Sequence, residues 1–191
     1  MAKRLPITIA IPDTGVLISL AHGDLLDLLF AFADDVRIEI TDVVEFESTR
    51  KTELFDAKRI STFLEKHKSR ITVKETSFKK LLVPGADLPE NLGEVSIYGY
   101  VNQIRNSEGP TPTLILFEDK WFKDNQYSRP RNTHLVSLKA FLLHLETLIP
   151  GFTYQRAVDE IRRTRPTASQ IKEDIAADSG TVWKPKVRRP R

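Results

Sequence analysis

Two hydrophobic periods alternate along the chain. Pro6 and Pro12 enclose a β-branched run, Ile7-Thr8-Ile9-Ala10-Ile11, which reads as a short buried strand. Asp13-Thr14-Gly15 ends it, and Val16 to Leu20 opens a helix. Gly23-Asp24 precedes a dense apolar run from Leu25 to Phe32, read as a buried helix with Asp24 near its N-cap. Val36-Arg37-Ile38-Glu39-Ile40 alternates as a second strand, and Thr41 to Glu45 starts a further helix. Between Thr52 and His67, Leu54, Ala57, Ile60, Phe63 and Leu64 recur close to helical spacing. Arg70 to Lys74 is a third strand.

After turn signals at Pro84-Gly85 and Pro89, a helix follows Asn91-Leu92-Gly93-Glu94, with Ile97, Tyr98, Val101 and Ile104 along one face. Gly109-Pro110 breaks it. Thr113 to Phe117 is a fourth strand, Leu135 to Leu138 a fifth, and helices cover Phe141–Ile149 and Tyr154–Arg163. Strands alternating with helices need crossover connections. The expected fold is therefore α/β, with three layers (α/β/α) around a central, mostly parallel sheet of four or five strands. Residues 1–150 form its main domain, and residues 151–191 form a helical extension ending in a basic tail. In such sheets ligands bind beyond the carboxyl ends of the strands, where strand order reverses. The residues just after each strand are the ones to inspect.

Charge changes this picture only at the C-terminus. The 191 residues carry 29 Lys+Arg against 26 Asp+Glu, a net +3. Five of the positives are Lys184, Lys186, Arg188, Arg189 and Arg191, so the body is close to neutral. A tail of this kind is either a solvated terminus or a holder of phosphates. The absence of cysteine excludes disulfides, thiolate zinc sites and a cysteine nucleophile, and fits a cytoplasmic setting. No apolar run approaches the ~20 residues of a membrane helix, and Pro6, Pro12 and Asp13 cut the first one too short for a secretory leader. The four histidines have no metal-ligand spacing, no nucleophilic triad is evident, and no Gly-rich phosphate loop is present.

Acids do stand at the expected strand ends. Asp13 follows the first strand, Glu45 comes just after the second, and Asp119 follows the fourth; Glu94 opens the helix before it. Crowded carboxylates repel, and a hard divalent cation is the usual way to hold them ionised. Mg²⁺ or Mn²⁺ on such a site suits phosphodiester hydrolysis. Each acid also has a local reading. Asp42 and Glu45 have capping-box spacing, Asn91 and Glu94 repeat it, Asp13 suits a helix cap and Asp119 a turn.

Four segments carry a resemblance: Ile11-Pro12-Asp13-Thr14, Thr41-Asp42-Val43-Val44-Glu45, Leu92-Gly93-Glu94, and Leu114-Ile115-Leu116-Phe117-Glu118-Asp119-Lys120-Trp121-Phe122. Their ordered set, over roughly residues 5–140, resembles the PIN domain family of small Mg²⁺/Mn²⁺-dependent nucleases. That resemblance implies Asp13, Glu45, Glu94 and Asp119 as catalytic acids, with Asp13, Glu94 and Asp119 holding the metal. Thr14 would support the site, as would a polar residue after the fourth acid, Asp124 or Asn125. The chain departs from the pattern in having glutamate as the third acid, where many members have aspartate. Glu118 also competes with Asp119, and the following Lys120-Trp121-Phe122 favours Asp119. Implied further are RNA as substrate, the role of toxin in a toxin–antitoxin pair with an antitoxin protein as partner, and a homodimer.

Around the fourth acid lie Lys120, Trp121, Phe122, Lys123, Tyr127, Arg129 and Arg131. Aromatics that stack on unpaired bases beside cations that follow phosphates suit single-stranded or looped RNA. Lys120, Arg129 and Arg131 are the candidate substrate contacts, while Trp121 or Phe122 belongs equally well to the core. Against the nuclease stands a second reading, a PIN-like module whose activity is lost or gated and which acts through nucleic-acid or protein binding.

Overall fold

Pro12 and Asp13 mark the point at which β1 (Ile9–Pro12) turns into α1 (Thr14–His22). In the computed structural model, which describes residues 7–32, 35–109 and 111–165, this strand-to-helix step recurs along the chain. β2 (Arg37–Thr41) leads into α2 (Asp42–Thr49) and α3 (Phe55–Lys66); β3 (Ile71–Lys74) is followed by the long α4 (Leu92–Glu108). β4 (Thr113–Phe117) runs into the short α5 (Trp121–Asp124). β5 (Thr133–Ser137) then leads to α6 (Leu138–Glu146) and α7 (Tyr154–Thr164). The basic run from Lys184 to Arg191 lies outside the described residues, as do Pro6, Pro110 and Pro166.

All five strands are parallel, in the order β3-β2-β1-β4-β5, with helices on both sides of the sheet. This is the expected three-layer α/β/α arrangement. β1 and β4 are central, paired from Ile9 with Thr113 to Pro12 with Leu116. Covered on both faces, they are apolar without alternation: Ile9, Ala10, Ile11, Leu114, Ile115, Leu116 and Phe117 are all buried. At the edge, β3 buries only Ile71.

Three local differences from the sequence reading have physical causes. Asp24 does not cap a following helix. Its φ of +57° makes it the left-handed residue that closes α1, with Leu25 N–H donating to Leu20 O at 2.8 Å and Asp24 N–H to Ala21 O at 3.3 Å. The leucine-rich run after it is a 3₁₀ segment, Leu26–Ala31. Second, Glu39 is buried on β2, where Tyr100 Oη donates to it, and Arg37 and Lys74 lie 3.6 and 3.5 Å away. The alternation of β2 had placed it with the polar positions. Third, the cap of α2 is Thr41, whose Oγ1 accepts from Val44 N–H, so Asp42 and Glu45 form no capping box.

α7 buries Ala157, Val158 and Ile161 in the same core as the sheet and packs against α1 and α6. Thr153 caps its start by accepting from Arg156 N–H. Among the described residues, no helix is long and apolar enough to cross a membrane.

Candidate functional site

Strand order reverses between β1 and β4: the chain leaves β1 toward β2 and β3, then crosses back to β4. The carboxyl ends of these two strands therefore form the topological switch point. Asp13 stands at one end, Glu118 and Asp119 at the other. Asp13 is 3% exposed. Its Oδ1 accepts from Val16 N–H at 2.7 Å, which caps α1, and its Oδ2 accepts from Glu118 N–H at 3.1 Å. The cap reading of Asp13 and its place at the switch point are therefore both true. Burial pushes its pKa up to about 7, against the pull of the two N–H donors; the charges of Glu118 and Glu94 push the same way.

Glu94 reaches the group from the first turn of α4. Burial raises its pKa most, and the neighbouring charges of Glu47 and Asp119 add to that. Asn91 precedes the helix in a left-handed conformation and makes no side-chain cap, so the second expected capping box is absent too.

Glu47, rather than Glu45, is the α2 acid joined to this group by contacts. Thr14 Oγ1 donates to Glu47 Oε2 at 2.7 Å. A Cβ on Gly93 would fall 2.6 Å from that same oxygen, so the missing side chain at 93 makes room for Glu47. Glu45 faces Asp42 instead; burial raises its pKa most, and the Asp42 charge adds to that. Positions 45 and 47 lie about 200° apart around α2, so one faces the group and the other turns away. The glycine immediately before Glu94 was the available sequence signal for Glu47.

Glu118 and Asp119 divide the roles at the end of β4. The side chain of Glu118 is 12% exposed and bound from the α7 side. Ser19 Oγ donates to Glu118 Oε2 at 2.6 Å, and Arg165 Nη1 lies 3.2 Å from the same oxygen. Burial still raises its pKa despite Arg165 and Ser19. Asp119 is exposed; its Oδ1 accepts from Trp121 N–H at 2.8 Å in a turn, and its charge acts on both Glu94 and Glu118. Neither Ser19 nor Arg165 carried any sequence signal, because nothing local ties residue 165 to residue 118.

The neighbouring polar candidates are less central. Asn125 Nδ2 donates to Trp121 O at 2.9 Å, closing α5, and Asp124 is exposed. Phe122 is fully buried against Phe117, whereas Trp121 is half-buried, edge-on to Tyr98 and Phe122. Burial pushes the Tyr98 phenol up to about 12, with the Arg129 charge opposing. Lys120 and Arg131 are exposed, Arg129 is half-buried, and Tyr127 is 94% exposed.

Asp13, Glu47, Glu94, Glu118 and Asp119 thus come from four segments to within reach of one another's charge, and burial, with that repulsion added, raises the protonation of Asp13, Glu94 and Glu118. Hard carboxylate oxygens under mutual repulsion are the donor chemistry of a divalent cation. The side chains do not by themselves encircle an ion: among the described residues no three acids or histidines form a ready-made ligand set. Asp13 and Asp119 already accept backbone N–H bonds, and Glu118 is bound by Ser19 and Arg165. The donors fit the cation in type. Compared with known proteins, the chain matches no family model and no curated sequence.

Proposed function

We propose that this chain is a Mg²⁺- or Mn²⁺-dependent endoribonuclease of PIN type, with Asp13, Glu94 and Asp119 holding the metal and Glu47 taking the place first assigned to Glu45. The observation that carries this reading is the meeting of Asp13, from β1, with Glu118 and Asp119, from β4, at the reversal of strand order, with Glu94 facing them. When bound, the cation would supply Lewis acidity at a phosphate oxygen and neutralise developing charge.

The chain's own residues do the rest. Asp13 is held rigid by two backbone donors, so it is positioned before substrate arrives. Thr14 orients Glu47 toward Glu94. In hydrolysis water oxygen bonds to phosphorus as the bridging P–O bond breaks; one water proton passes to a carboxylate and another ends on the leaving oxygen. Glu47, which accepts the Thr14 hydroxyl and stands outside the metal-holding set, is the carboxylate suited to take that proton. Lys120, Arg129 and Arg131 follow the substrate phosphates, and the exposed Tyr127 offers a stacking face for an unpaired base.

One observation favours the second reading, a PIN-like binding module without activity: Glu118 is neutralised from within the chain and both Asp13 oxygens are engaged. Calorimetric titration with Mn²⁺ separates the two. The nuclease reading expects binding that Asp13→Asn, Glu94→Gln and Asp119→Asn each weaken, together with cutting of single-stranded RNA. A folded protein that binds single-stranded RNA but neither Mn²⁺ nor cuts would favour the module.

A further inference from the structure

Arg165 follows the last turn of α7, 146 positions after Ser19 and 47 after Glu118. Its Nη1 lies 3.2 and 3.4 Å from the two Glu118 oxygens and donates to Ser19 Oγ, which itself donates to Glu118 Oε2. The arrangement is largely enclosed: Ser19 is buried, and the side chains of Glu118 and Arg165 are 12% and 26% exposed. It continues through the backbone, because the N–H of Glu118 donates to Asp13 Oδ2 at 3.1 Å. There is little slack between these parts. A Cβ on Gly15 would stand 3.2 Å from Glu118 Cβ and 3.5 Å from Asp13 Oδ1.

We propose that Arg165 is a positioning residue of the site. By drawing the Glu118 carboxylate toward α7 it keeps that acid out of the metal-holding set, and it fixes the backbone whose N–H holds Asp13. The inference rests on the nuclease reading for its catalytic consequence, though the positioning itself does not need it. It makes the segment after residue 150 part of the site: α7 is anchored in the core by Ala157, Val158 and Ile161, and Thr164 Oγ1 donates to the carbonyl of His22, so Arg165 is delivered from a fixed base. An ion pair serving stability alone would be indifferent to Asp13; here the residue whose carboxylate accepts from Arg165 donates its backbone N–H to Asp13.

The test uses the full-length chain with Arg165→Met, which keeps the stem and removes the charge, and Arg165→Lys, which keeps the charge. Amide exchange at Glu118 is expected to accelerate about 5- to 10-fold in Arg165→Met. On single-stranded RNA kcat falls roughly 10–100-fold with KM unchanged, Mn²⁺ affinity rises as the Glu118 carboxylate is released toward the metal-holding acids, and Arg165→Lys reverses much of each. Unaltered Glu118 exchange in a folded Arg165→Met overturns the proposal, and so does wild-type Mn²⁺ affinity with wild-type kcat. A loss that Arg165→Lys does not reduce overturns it as well. Should Arg165→Met fail to fold, Arg165→Gln takes its place, and unaltered Glu118 exchange there is equally decisive. If the wild-type chain neither binds Mn²⁺ nor cuts RNA, the nuclease reading fails, and Glu118 exchange alone then decides whether Arg165 holds that segment.

Discussion

Thr14 and Glu47 are joined by a 2.7 Å hydrogen bond that ties the start of α1 to the middle of α2, 33 positions later. It turns Glu47 toward Glu94, past the bare Cα of Gly93. Glu47→Gln is therefore expected to lower kcat on RNA by roughly 10–100-fold, the usual effect of losing a supporting carboxylate. Glu45→Gln should leave kcat within about threefold, since Glu45 faces Asp42. Steady-state kinetics of the two variants check this; the reverse ranking would return Glu45 to the site.

Gly93→Ala provides a second test of the same corner. The new methyl would lie 2.6 Å from Glu47 Oε2, so that flexible side chain must move away. Alanine favours a helix over glycine by up to about 1 kcal/mol, so stability should hold or rise slightly. Thermal unfolding and kcat measured together should show activity lost without stability lost.

Asp13 sets a pH dependence with a definite sign. The group titrates near 3.8 when unfolded and at about 7 when folded, so the folded state binds its proton more tightly. The stability this contributes is complete below about pH 4 and is lost as the pH rises through 7, a span worth on the order of 4 kcal/mol. The metal-free protein should thus unfold more easily at pH 8 than at pH 5, and Mn²⁺ should recover the difference. Asp13→Asn abolishes the titration but keeps a single acceptor oxygen for the two N–H donors of Val16 and Glu118, so one of them loses its partner, which costs about 1–3 kcal/mol. Calorimetric Tm values without metal should show the variant below wild type at pH 5 and gaining on it by pH 8.

Phe122 and Tyr127 separate the core from the proposed RNA-binding surface. Phe122→Ala should cost about 3–5 kcal/mol, because the ring is fully buried against Phe117 and Tyr98. Tyr127→Ala should change stability by less than about 0.5 kcal/mol, because the side chain is 94% exposed. Its effect should appear instead as weaker binding of single-stranded RNA, by about 1–3 kcal/mol. Denaturant unfolding and RNA titration read the two quantities separately.

The sheet was legible because its strands are apolar in short, punctuated runs: Ile7 to Ile11 between prolines, and Thr113 to Phe117 after Gly109-Pro110. Parallel order followed from the helices between them. Asp13, Glu94 and Asp119 were legible because they directly follow strands or open a helix. Glu47 was not, since its facing depends on whether α2 is capped by Thr41 or Asp42, a shift of one residue that rotates every side chain by about 100°. Asp24 was misread because a polar residue before an apolar run suits a helix start as well as a left-handed close. Arg165 and Ser19 were invisible, as their meeting with Glu118 is a product of how α7 docks on α1.

The most direct measurement is cleavage of a single-stranded RNA by the purified chain in Mn²⁺, Mg²⁺ and EDTA, with Asp13→Asn alongside. Cutting that needs the divalent ion and disappears in the folded variant is the predicted result. Cutting that persists in EDTA or in Asp13→Asn would contradict the account, and so would a folded, Mn²⁺-loaded wild-type protein that leaves RNA intact.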